Sequence, residues 1–121
     1  MISTFYIYVD GSDLDEIAPK LHTRIDSFVA RYRGRVRVVD QRGEAEVSDD
    51  LPDWDLGVNF ELAELTIAER KDLLLFFQSL SGEFRRDFVL GGVLPQNQTD
   101  DFVVISAGEA LDPAIDLLCT E

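Results

Sequence analysis

One cysteine, one histidine and one methionine occur among 121 residues, and each scarcity removes a class of chemistry. Cys119 has no second thiol in the chain to pair with, so an internal disulfide is excluded and a reducing compartment is expected. His22 is the sole imidazole and is remote in sequence from Cys119, so zinc sites and the familiar Cys-His and Ser-His-Asp nucleophilic centres lose most of their support. No apolar run approaches the roughly 20 residues of a membrane span. The opening MISTFYIYVDGSD has no basic stretch ahead of its short apolar one, which breaks at Asp10-Gly11. It does not read as a signal peptide, and a cytoplasmic location is expected.

Bases are also scarce. Eleven Lys and Arg stand against 24 Asp and Glu, a formal net charge of −13. A field of this sign repels nucleic acid and anionic membranes and favours a basic partner by speeding and orienting its approach. The charge is segregated along the chain. Residues 1–43 are nearly balanced, residues 44–64 hold eight acidic side chains and no base, and residues 100–121 hold six acidic side chains and no base.

What is present is enough for one folded domain over residues 1–121. Hydrophobic residues make up 45%, including eight Phe, which suffices for a single core without metal or disulfide support. Thr4–Val9 reads as a strand with Phe5, Ile7 and Val9 on one face and Tyr6 and Tyr8 on the other. From Leu14 to Tyr32 the apolar spacing is helical. Pro19 fits a short turn followed by a helix with proline in its first turn, and Gly34 supplies the stop. Arg35–Val39 alternates as a strand with Arg35 and Arg37 outward. Arg42-Gly43 has the setting of a tight hairpin between Val38–Gln41 and Glu44–Val47.

Trp54–Leu62 places five apolar residues in strict period two, with Asp55, Gly57, Asn59 and Glu61 on the other face. Thr66-Ile67-Ala68-Glu69 matches a capping box and opens a helix running to about Ser81, with Gly82 as its stop. Phe88–Leu94 and Phe102–Ile105 read as a hairpin around a turn at Pro95–Asp100, and Ala110–Leu118 as a short helix with Pro113 in its first turn. The predicted order β-α-β-β-α-β-β-α is that of a split β-α-β unit with an added strand and helix. It implies an α+β, two-layer α/β sandwich related to the ferredoxin-like fold, with a mainly antiparallel sheet. Helices on one face leave Tyr6, Tyr8, Arg35, Arg37, Asp55, Asn59 and Glu61 on the open face.

No residue set specifies a reaction or a cofactor. His22 borders the apolar stripe of its helix, and Cys119 reads as a small half-buried apolar residue. Asp49, Asp50, Asp53 and Asp55 lack the alternating ligands and central glycine of an EF-hand loop. Gly91-Gly92 belongs to no phosphate-binding pattern and fits a strand bulge. Binding is therefore expected rather than catalysis. The partner-binding candidates are Glu44, Glu46, Asp49, Asp50, Asp53 and Asp55 for charge, with Trp54 and the Tyr6/Tyr8 pair as apolar anchors.

The base-free stretch GEAEVSDDLPDWDLGVNFELAE and the acidic residues after Asp100 give the chain its nearest likeness. A small, His-poor, acidic α+β chain of this kind resembles the immunity proteins of bacterial contact-dependent and polymorphic toxin systems. That resemblance implies an inhibitor that covers the basic active site of a nuclease-like toxin with carboxylates standing in for phosphates. Two other classes stay open at this point: a homo-oligomeric interaction module, with a homodimer as its simplest form, and a small-ligand-binding domain or enzyme using the open sheet face.

Overall fold

The period-two and helical stretches read from the sequence become, in a computed structural model describing residues 4–10, 16–40, 56–94 and 98–119, five strands and three helices. The strands are β1 (Thr4–Val9), β2 (Val36–Asp40), β3 (Leu56–Glu61), β4 (Phe88–Leu94) and β5 (Gln98–Ile105). The helices are α1 (Ala18–Val29), α2 (Ile67–Phe84) and α3 (Asp112–Leu118). The sheet runs β2-β3-β1-β4-β5 with every neighbouring pair antiparallel. Strand order 2-3-1-4 in a β-α-β-β-α-β chain is the split, ferredoxin-like arrangement, here extended by β5 and α3. The result is the expected two-layer α/β sandwich.

Alternation decides which face the helices cover. Phe5, Ile7 and Val9 of β1 join Val36, Leu56, Val58, Phe60, Phe88, Leu90 and Ile105 in one buried layer. Against it lie Ala18, Leu21, Ile25 and Val29 of α1, Leu73, Leu74, Phe77 and Leu80 of α2, and Ala114 and Leu118 of α3. Each large side chain removed from water in this way contributes about 1.5–3 kcal/mol before entropy is charged against it. Phe77 meets Phe88 edge-on with ring centroids 5.2 Å apart, so helix and sheet interlock rather than merely adjoin.

The start of α2 is built as its sequence implies. Thr66 Oγ1 accepts from the Glu69 amide at 3.1 Å, and Glu69 Oε1 accepts from the Thr66 amide at 2.9 Å. Two amides that would otherwise lack partners are satisfied reciprocally. Thr66→Ala should therefore cost about 1 kcal/mol of stability in a denaturant titration, whereas an unchanged midpoint would mean the cap is not formed in solution.

Three expectations need correction. Helix α2 does not stop at Gly82 but continues to Phe84, and the left-handed terminating residue is Arg85 (φ 56°). Gly82 is an interior helix residue with room for a side chain: a Cβ there would make an ordinary contact at 3.4 Å with that of Ala107, whose amide donates to Ser81 Oγ at 3.1 Å. Strand β5 begins at Gln98 rather than Phe102, so Asp100 is a strand residue rather than a turn residue and Asp101 belongs to the strand as well. Its alternation is hidden by a register shift between Leu90 and Gly91, where Leu90 faces Val103 but Gly91 faces Asp101 and Phe102 is the extra residue.

The third correction concerns Arg35, which the alternation placed outward. Arg33 and Gly34 both have positive φ (54° and 87°) and turn the chain, so regular alternation starts only at Val36. Arg35 reaches the head of α2, where its guanidinium forks onto Glu69 Oε1 and Oε2 at 2.8 and 2.7 Å. It also donates to the carbonyls of Tyr32 and Glu64, both at 2.9 Å. The fork, with the Thr66 amide behind it, holds the Glu69 carboxyl at about 2, below its ordinary value of 4.5. A carboxyl whose folded-state pKa is depressed adds stability above its unfolded pKa and loses it as pH falls through the folded one. Stability should decline between about pH 4.5 and 2, and Glu69→Gln should flatten that part of the profile. An identical acid limb in the variant would show that Glu69 does not contribute.

Candidate functional site

The face of the sheet away from the helices bears a polar row and an apolar row, each set by register. Arg37, Asn59, Tyr6, Gly91 and Asp101 lie side by side across the five strands. One step along the strands, Val39, Gly57, Tyr8, Val89 and Val104 form the second row.

Gly91 makes the polar row possible. A Cβ at that position would lie 2.4 Å from Tyr6 Oη and 2.5 Å from Tyr6 Cζ, so the phenol of Tyr6 occupies the space a side chain would take. Lying across the glycine, Tyr6 donates to Asp101 Oδ1 at 2.8 Å, and Tyr8 donates to Oδ2 of the same carboxylate at 2.9 Å. The two rings sit 5.8 Å apart. Burial, followed by the hydrogen bond to Asp101 and its charge, pushes the Tyr6 phenol well above its ordinary range and the Tyr8 phenol up to about 12. Both keep their protons at neutral pH and act as donors, orienting an exposed carboxylate from two sides.

Tyr6 and Tyr8 do share the face away from the helices, as expected, but that face is not open throughout, since Tyr6, Gly57, Val89 and Gly91 are buried on it, and the two tyrosines are not equivalent. Tyr6 is 2% exposed and cannot serve as a protruding anchor, while Tyr8 is half-buried. Asp101, which completes their cluster, was missed because the Pro95–Asp100 stretch reads as a turn and the bulge at Phe102 breaks the period-two signal. Thr99, a β-branched residue ahead of Asp100, was the one hint that the strand begins earlier. Asn59, between Arg37 and Tyr6, has a buried Oδ1 that accepts no hydrogen bond among the described residues.

Glu44, Glu46, Asp49, Asp50, Asp53, Trp54 and Asp55 lie outside the described residues, as does the Arg42-Gly43 hairpin reading. What is fixed is where their segment is attached. Asp40 at the end of β2 is the Cα partner of Leu56 at the start of β3, so residues 41–55 join two paired, adjacent strands.

The remaining reactive side chains have structural settings. His22 Nδ1 lies 2.8 Å from Asp26 Oδ2, one turn further along α1. The half-buried Cys119 thiol is raised above its ordinary range by burial, so it is less nucleophilic than a free thiol. Among the described residues no group of three His, Cys, Asp or Glu side chains is placed to hold a metal ion, and no helix is long and apolar enough to cross a membrane. Compared with family models, with curated proteins and with solved structures, the chain matches none.

Proposed function

We propose that this chain is an acidic protein-binding domain that docks on a basic protein, and most concretely an inhibitor that masks the basic active site of a nuclease-like bacterial toxin. The observation that carries the reading is charge segregation: eight acidic residues and no base in residues 44–64. Most of these residues stand between two strands whose pairing is fixed, an arrangement that mounts recognition residues on a rigid base. Glu44, Glu46, Asp49, Asp50, Asp53 and Asp55 would present carboxylates where the target binds phosphates, with Trp54 as the apolar contact. Close charge pairs of this kind couple by about 1.5–7 kcal/mol, whereas charges at a rim mainly alter association rates.

Self-association through the β5 edge is disfavoured in one register by a separate pair of carboxylates, Asp100 and Asp101. Among the described strands β5 is the last on its side of the sheet, and an antiparallel pairing centred between Asp100 and Asp101 would set each opposite the other's copy. Like charges in that position destabilise pairing.

The test is affinity capture from the source cell's lysate at low salt and again at about 1 M, where the Debye length is about 3 Å. Retention of one basic protein at low salt and its release at high salt are expected, followed by stoichiometric inhibition of that protein's phosphodiester cleavage. A stable homodimer that retains no foreign protein would overturn the proposal.

A further inference from the structure

The open face is electrostatically polarised. Arg37 lies on edge strand β2 and Asp101 on edge strand β5, with Asn59, Tyr6 and Gly91 between them. Four inter-strand steps separate the two charges by roughly 19 Å. That exceeds twice the Debye length of about 8 Å at physiological ionic strength, so a cation arriving at Asp101 scarcely feels Arg37. The β5 end of the face thus offers a carboxylate that forms no ion pair among the described residues, within a stretch, residues 100–121, that contains no base.

That carboxylate is unusual in being held rather than free to rotate. Each of its oxygens accepts one phenolic hydroxyl, from Tyr6 at 2.8 Å and from Tyr8 at 2.9 Å. A carboxylate has about four acceptor sites, so two remain for an incoming donor while its orientation is already fixed. Beside it stand the half-buried ring of Tyr8 and, in the neighbouring row, the side chain of Val104, 54% exposed. An oriented carboxylate next to an aromatic ring and an apolar ledge suits a planar guanidinium, which forks onto carboxylate oxygens and lies against rings. It suits a compact ammonium less well.

We propose that Tyr8, Asp101 and Val104 form a seat on the open sheet face for an arginine side chain of the basic protein partner, with Tyr6 as the residue that positions Asp101. The proposal rests on the reading of this chain as docking on a basic protein and adds to it a second point of contact, separate from residues 44–55.

Oligoarginine and oligolysine peptides of equal length, titrated calorimetrically at low salt, test it without knowledge of the natural partner. The unmodified protein should bind the arginine peptide about fivefold more tightly. Asp101→Asn and Tyr8→Leu should each remove most of that preference. Asp112→Asn, which deletes the same charge from an exposed position in α3, should keep it. Thermal melts of each variant establish that it is folded. Equal affinity for the two peptides, or equal losses in Asp101→Asn and Asp112→Asn, would overturn the arginine seat while leaving the basic-partner reading intact. Failure of the unmodified protein to bind either peptide saturably would overturn both.

Discussion

Gly57→Ala should destabilise the protein by about 3 kcal/mol, the upper range for forcing an extra carbon into a packed position. A Cβ at this residue would lie 2.2 Å from the Ile7 carbonyl oxygen, 2.7 Å from Tyr8 Cα and 2.9 Å from Tyr8 Cβ. Two of these atoms are backbone, so no rotamer change relieves the overlap. β3 must move away from β1, the central strand, whose Phe5, Ile7 and Val9 anchor the core layer. Glycine inside a strand commonly marks such a close approach. Gly82→Ala provides the contrast. That glycine sits inside α2 with only the Ala107 Cβ nearby, at 3.4 Å, and alanine in a helix interior gains about 1 kcal/mol over glycine. Urea titration should show a large loss in the first variant and little change, or a small gain, in the second. Similar midpoints for both would contradict the packing described for the β1–β3 pair.

The second large effect concerns binding. Reversing three charges together, Asp49→Lys, Asp50→Lys and Asp53→Lys, should weaken affinity for the basic partner by at least about a hundredfold, since close interfacial charge pairs couple by about 1.5 kcal/mol or more each. The variant should remain folded, because aspartate side chains are rarely fully buried and lysine keeps these positions charged. Loss of affinity with an unchanged melting curve is the expected pair of results. Intact affinity would remove residues 44–55 from the interface.

Much of the architecture was legible because its signals are local. Alternation in β1 and β3, the Thr66–Glu69 box, and Pro19 and Pro113 in the first turns of α1 and α3 all depend on neighbours within a few positions, and all appear as read. The misreadings arise where the local signal does not decide. Gly82 looks like a helix stop until the helix is seen to continue to Phe84 and to end on left-handed Arg85. Arg35 looks like an outward strand residue until the left-handed pair Arg33 and Gly34 turns it toward Glu69. Asp101 looks like a junction between the Pro95–Asp100 turn and the strand until the register shift opposite Gly91 places it under two tyrosines.

The same distinction governs the candidate site. Charge segregation is a property of composition along the chain and needs no fold to be seen. The clamp formed by Tyr6 and Tyr8 on Asp101 depends on contacts between residues 93 or more positions apart, and on a glycine whose missing side chain leaves room for a ring.

The most direct test of the central claim, acidic docking on a basic partner, is the association rate constant of the captured protein measured across ionic strength for the unmodified chain and the triple charge reversal. Steered association is fast at low salt and falls steeply as salt rises. A drop of about tenfold or more for the unmodified protein, and a slow, nearly flat profile for the reversal, is the predicted result. Matching rates for the two proteins at every salt concentration would contradict it.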